Sequence, residues 1–161
     1  MPRADLDQAL TPSLVDRLID PDSGGTTARG GYSVEQVIAA VRRDLEDLMN
    51  TRLPVINLPA EYPELLRSPL AFGIADFGSV PTSTTAQQET IGRRIEDTIA
   101  RFEPRLRDVH VILADENRGG RQMNVRFHIE ARLSIEPYPD ISFETIVELT
   151  TGCTSIRAEK T

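Results

Sequence analysis

Apolar positions recur along this chain with two periods, and the change from one to the other falls at a single place. Val34, Val37, Ile38, Val41, Leu45 and Leu48 follow helical spacing, with Glu35, Arg42, Arg43, Glu46 and Asp47 on the opposite face. Ser33 with Gln36 three residues later forms a capping box that opens this helix, and Leu53-Pro54 stops it. Ile91, Ile95, Ile99 and Phe102 mark a second helix over Thr84 to Arg101, with Arg93, Arg94, Glu96 and Asp97 facing away. Gly92 either weakens that helix or permits close packing.

Beyond Phe102 the period drops to two. Val109, Val111 and Leu113 alternate with Asp108, His110 and Ile112 in a strand over 107–114. After Asn117-Arg118-Gly119-Gly120, Met123, Val125, Phe127, Ile129, Ala131, Leu133 and Ile135 face one way. Gln122, Asn124, Arg126, His128, Glu130, Arg132 and Ser134 face the other. Pro137-Tyr138-Pro139 turns the chain into a third alternation, Ile141, Phe143, Thr145, Val147 and Leu149 against Ser142, Glu144 and Glu148. Short connections imply an antiparallel meander with one greasy face under helices and one charged face outward. The predicted fold is α+β, a two-layer domain in which a meander of at least three strands packs on two long helices, with a short N-terminal helix.

That short helix is expected to open at Thr11-Pro12, a cap followed by proline at the first helical position. Leu14, Val15, Leu18 and Ile19 form its apolar face, and a helix so short must dock on something to persist. It ends at Asp20-Pro21, and residues 22–31 read as a flexible Gly-rich linker. The expected organisation is an N-terminal arm over 1–31 and a single domain over 32–161. Residues 53–82 hold five prolines and predict an extended loop with one short helix at most. Its large apolar residues, Leu65, Leu66, Leu70, Phe72, Ile74 and Phe77, predict a loop folded over the core.

Composition narrows the function classes. The chain has 161 residues, 39% hydrophobic and 27% charged, which suits a folded domain. A net charge of −7 without any basic run gives no electrostatic footprint for nucleic acid. No apolar run approaches the roughly 18 residues that would span a bilayer, and none resembles a signal-peptide core. The lone Cys153 rules out an intrachain disulfide framework and fits a reducing compartment, with the thiol expected to be buried or inert. These features predict a cytoplasmic protein.

Catalytic constellations are largely missing. Gly24-Gly25 and Gly30-Gly31 lack the strand and lysine that a phosphate loop needs. A hairpin centred on Gly119 would oppose His110 to His128, and one centred on Arg118 would oppose His110 to Arg126. Both registers keep the rings outward. With Glu130 they could hold a metal, but no third ligand is fixed by spacing, and a plain polar sheet face is the favoured reading. Glu103, Asp108, Glu130 and Glu144 could pair for glycoside hydrolysis, yet no cleft is defined and aromatic sugar platforms are scarce. No cofactor or metal is predicted.

The junction between the two periods carries the remaining candidate, Phe102-Glu103-Pro104-Arg105. Pro104 cannot continue a helix and biases Glu103 away from helical geometry, so Glu103 and Arg105 sit on a stiff corner. One reading is a helix stop with two surface charges. The other is a docking corner, with Arg105 offering a planar fork to a carboxylate and Glu103 accepting from a basic group.

Taken in order, several segments resemble the TssE family, the small baseplate subunits of bacterial type VI secretion systems and relatives of phage tail baseplate wedge proteins. They are Ser13 to Leu18, Val41 to Arg52, Ser68 to Phe77 ending Gly73-Ile74-Ala75-Asp76-Phe77, and Ile99 to Leu106 with its Glu-Pro-Arg. The resemblance runs from Ser13 to Arg157. Pro69 and Ala71-Phe72 depart from the family pattern and leave the local structure of 65–77 open. The resemblance implies a structural role, joining the baseplate wedge and seeding the contractile sheath around the inner tube. It implies wedge partners (TssF, TssG, TssK), sheath partners (TssB, TssC), and a place in the baseplate docked to the inner face of the envelope-spanning complex. It further implies that Glu103, Pro104 and Arg105, with Phe102 beside them, form the attachment motif, and that an exposed sheet edge adds partner strands. Nothing in it calls for a cofactor. The competing reading is a peptidoglycan-cleaving, lysozyme-like hydrolase, suggested by the family's historical label, and a blander one is a generic sheet-edge adaptor.

Overall fold

The computed structural model describes residues 13–19, 33–54, 61–75, 84–114, 124–135, 139–148 and 151–158. Among these, helices α1 (Leu14–Ile19), α2 (Val34–Asn50) and α3 (Thr85–Phe102) precede strands β1 (Leu106–Leu113), β2 (Asn124–Leu133), β3 (Asp140–Glu148) and β4 (Thr154–Ala158). The chain divides into two units, Met1–Val41 and Arg42–Thr161, with the boundary inside α2.

In the first unit, Ser13 caps α1. Its hydroxyl accepts the Asp16 N–H at 3.1 Å, and Asp16 Oδ2 accepts from the Ser13 N–H and hydroxyl at 3.3 and 2.7 Å. The helix therefore starts at Leu14; the Thr11-Pro12 opening expected from sequence lies outside the described residues. Its apolar face is not covered where it can be described, since Val15 and Leu18 are exposed and Asp16 is the buried side chain. The capping box of α2 forms as its sequence dictates. The Gln36 N–H donates to the Ser33 hydroxyl at 3.3 Å, and the Ser33 N–H donates to Gln36 Oε1 at 2.8 Å.

In the second unit, Leu45, Leu48 and Met49 of α2 are almost fully buried. Helix α3 opens on a further capping box between Thr84 and Gln87 and buries Ile91, Ile95 and Ile99. Gly92 serves close packing. A Cβ there would stand 3.3 Å from the Phe127 ring and 3.5 Å from the Val111 carbonyl oxygen. The four strands run antiparallel in the order β1-β2-β3-β4. Val125, Phe127, Ile129, Leu133, Phe143 and Val147 fill the covered face of the sheet.

Two features of the sheet differ from the sequence-based expectation. The β1–β2 hairpin pairs His110 with Glu130 and Ile112 with His128, two residues further along than the His110–His128 register. The slip is even, so every side chain keeps its expected face. The second feature is a bulge. Arg107 pairs with Arg132 and His110 with Glu130, so Asp108 and Val109 together oppose Ala131. Asp108 takes φ 49°, a left-handed conformation that aspartate tolerates better than bulky residues. The extra residue lets Leu106 and Val109 both point into the core.

Strand β4 is a fourth strand that the sequence pattern did not single out. With it the sheet has two edges, and helices reach both. In β4 the pairing register turns the N–H and C=O of Thr154 and Ile156 away from β3. The Asn50 amide takes both groups of Thr154: Thr154 N–H donates to Oδ1 at 2.8 Å and Nδ2 donates to the Thr154 carbonyl at 2.9 Å. Arg42 Nη1 donates to the Ile156 carbonyl at 3.4 Å. At the far edge the outward N–H of Val111 donates to Glu96 Oε2 of α3 at 2.9 Å. The freely open strand margin expected from sequence is thus closed by side chains at these positions.

The loop over 61–75 forms two 3₁₀ turns, Leu65–Arg67 and Pro69–Ala71, where one short helix at most was expected. Pro69 opens the second turn, with Ser68 capping it, so the proline starts an element. Gly73 adopts φ 112°, and a Cβ there would collide with the Thr51 carbonyl oxygen. That close approach lets Ile74 bond both Thr51 and Leu53 at 2.9 Å. Ala71 and Ile74 are buried while Leu70 is exposed, so the loop covers the core only in part.

Candidate functional site

The corner after α3 is built from backbone first. The Glu103 N–H donates to the Ile99 carbonyl at 2.8 Å and closes the last helical turn; Pro104, lacking an N–H, cannot extend it. The Leu106 N–H then donates to the Glu103 carbonyl at 3.1 Å, closing a tight turn around Pro104. The Ser134 N–H donates to the Arg105 carbonyl at 2.7 Å, so the turn is stitched to the end of β2 as well. Phe102 is half-buried and meets Phe72 edge-on, with ring centroids 5.5 Å apart.

Side chains then lock the turn. Glu103 Oε1 accepts the Arg105 N–H at 3.1 Å and the Nε–H at 2.7 Å, while Oε2 accepts from Nη2. The same Nη2 donates to Asp44 Oδ2 of α2 at 2.6 Å. Asp44 Oδ1 in turn accepts from Arg43 Nε and Nη2 at 3.0 and 2.7 Å. The result is a chain of alternating charge, Glu103, Arg105, Asp44, Arg43. The Glu103 side chain is 6% exposed, against 30% for Arg105 and 33% for Asp44. Hydrogen bonding to Glu103 raises the Arg105 guanidinium above its ordinary value. Partial burial opposes that shift, and the Glu103 charge and Asp44 add to it.

All four residues singled out in the sequence, Phe102, Glu103, Pro104 and Arg105, are therefore brought to one corner. Their roles differ from the expectation. Glu103 is buried under Arg105, and the guanidinium edge expected to grip a partner's carboxylate grips Glu103 instead. Pro104 is exposed, and Arg105 Nη1 makes no hydrogen bond among the described residues. Asp44 was not singled out. It sits among several charges on the polar face of α2, and no local pattern marks the one that reaches a residue 61 positions away.

The other candidates separate. His110 is exposed beside Glu130, and no three of His, Cys, Asp and Glu are grouped to hold a metal among the described residues. Asp108, His110, Glu130, Arg132, Asp140 and Ser142 line an open groove of about 540 Å³ on the outer sheet face, and Glu103 is not part of it. Arg132 pairs there with Asp108 at 3.4 Å and Asp140 at 2.9 Å, and Arg126 approaches Glu144 at 3.7 Å. Asp108, Asp140 and Glu144 are thus paired with arginines on a sheet surface rather than set across a cleft from each other. Cys153 is exposed, so of the buried or inert thiol expected the buried form does not hold.

Residues 35–138 match the family model described as baseplate wedge protein gp25, and the chain belongs to that family. A solved structure, "The baseplate complex from the type VI secretion system", contains a chain of similar fold with a TM-score of 0.51 and 15% identity. The match covers 79% of this chain and 97% of that one. No curated protein matches the chain.

Proposed function

We propose that this protein is a TssE-type structural subunit of a type VI secretion baseplate, joining the wedge and initiating assembly of the contractile sheath around the inner tube. The observation that carries this reading is the family match over 35–138, which spans α2, α3, the Glu103–Arg105 corner and the first two strands. The likeness in fold to a chain of a type VI baseplate complex agrees with it. The partners are wedge subunits of the TssF, TssG and TssK kinds and sheath subunits of the TssB and TssC kinds, and the site of assembly is cytoplasmic. Residues 1–31 act as an arm on a wedge-type domain over 32–161. The docking site is the corner of Phe102, Glu103, Pro104 and Arg105. Glu103 serves it from inside by fixing Arg105, while Pro104 and the outward part of Arg105 meet the partner. Strand addition at Thr154, Ile156 or Val111 is not part of the proposal, because side chains already hold both Thr154 groups, the Ile156 carbonyl and the Val111 N–H.

The reading is tested in cells that carry Glu103→Ala/Arg105→Ala protein at normal level. Sheath assembly, followed with a fluorescent sheath subunit, should be lost, and normal sheaths would contradict the mechanism. A hydrolase is the competing class, and the present reading assigns no catalytic role. A zymogram on peptidoglycan should stay uncleared, and clearing abolished by changing a single glutamate would replace the scaffold with an enzyme.

A further inference from the structure

We infer that Asp44 of α2 is a positioning residue of the docking corner, and that the corner recognises an uncharged acceptor, a backbone carbonyl of the partner, rather than a carboxylate. The inference rests on the corner docking other baseplate proteins, as proposed above, and adds which residue sets its geometry and which chemistry it reads.

A guanidinium carries five N–H donors in a rigid plane. In Arg105 the Nε–H and one Nη2 hydrogen are bound to Glu103, and the second Nη2 hydrogen is bound to Asp44. Carboxylates on two adjacent sides fix both the plane and the rotation of the group. The two Nη1 hydrogens remain, on a side chain that is 30% exposed and next to exposed Pro104. Glu103 anchors this arrangement from within the corner. Asp44 holds it from a different element, so α2 and the α3–β1 turn together set where Nη1 points.

The charge count decides what Nη1 can meet. Glu103, Arg105 and Asp44 sum to one negative charge, and Arg43 bonds Asp44 from its far side. An incoming carboxylate would be the third around one guanidinium, so like-charge repulsion would offset its attraction to Arg105. A carbonyl oxygen accepts from Nη1 without that repulsion. The end of a helix, where carbonyls lack partners, supplies such acceptors in an ordered row. Removing the Asp44 charge would weaken the preference, leaving Arg105 with one carboxylate beside it instead of two.

The test uses the full chain and the purified wedge complex of the same secretion system assembled without it. Affinity is measured for wild type, Asp44→Asn, Asp44→Glu, Arg105→Gln and the Asp44→Asn/Arg105→Gln double variant, at low and high salt. Asp44→Asn should bind about tenfold more weakly, the scale of one hydrogen bond to a charged group. Asp44→Glu should recover most of that loss, and the double variant should be no weaker than Arg105→Gln alone. Wild type and Arg105→Gln should share one salt dependence, since no ion pair is being formed. In the free protein, nitrogen NMR should find hindered rotation about the Arg105 Cζ–Nε bond, released in Asp44→Asn. Wild-type affinity in a folded Asp44→Asn, or additive losses in the double variant, would overturn the role of Asp44. If Asp44→Asn does not fold, Asp44→Ser, which also removes the charge, takes its place, and wild-type affinity there would do the same. A steeper salt dependence for wild type than for Arg105→Gln would overturn the carbonyl assignment. Unchanged binding by Arg105→Gln would instead remove the docking corner itself.

Discussion

Arg105 and Arg132 each touch two carboxylates, and the resemblance ends there. Arg132 lies on the outer sheet face with its side chain 58% exposed, between Asp108 and Asp140 at 64% and 79%. Water solvates all three, so their attraction is screened and each side chain loses entropy in holding the geometry. Arg105 bridges a buried carboxylate and a half-buried one, and it also bonds through its own backbone to Glu103 and to Ser134. One set of charges decorates a surface; the other is part of a joint. Ion pairs drawn alike on paper differ by how much water is left around them.

Substitutions should break this comparison unequally. Arg105→Ala leaves Glu103 buried without its cation and near Asp44, and should destabilise the protein by about 3 kcal/mol in urea unfolding. A loss below that of Arg132→Ala would erase the distinction between the two sites. Glu103→Gln keeps the shape of the side chain and leaves Arg105 still bound to Asp44, so the cost should be smaller, about 1–2 kcal/mol. Arg132→Ala should change stability by less than about 1 kcal/mol, and added salt should shrink even that.

The smallest effect belongs to the start of α2. Glu35 is fully exposed, and its hydrogen bond from Ser33, with a backbone bond, holds its carboxyl below the ordinary glutamate value of 4.5. A group depressed on folding stabilises the fold above its unfolded value, and the stabilisation disappears as pH falls through the folded value. An NMR titration should find Glu35 ionising below 4.5 in the wild type and returning toward that value in Ser33→Ala.

Much of this fold was legible because the periods were long. Five alternating apolar positions in β2 and six helical ones in α2 leave little choice of face, and the face survived a two-residue error in register. Strand β4 escaped notice because five residues, Thr154 to Ala158, are too few to establish a period. The bulge at Asp108 escaped because an extra residue in one strand is invisible without its partner strand. The corner was found from Pro104, which acts on its own neighbours. Asp44 was not, because its meeting with Arg105 depends on tertiary structure alone.

Asn50 has a consequence for how anything could grow from this sheet. By holding both backbone groups of Thr154, it behaves as a one-residue fifth strand. Any chain that extended the ribbon over Thr154 would have to evict that amide before making its own ladder bonds there, so a single asparagine at the end of a helix guards this stretch of the margin.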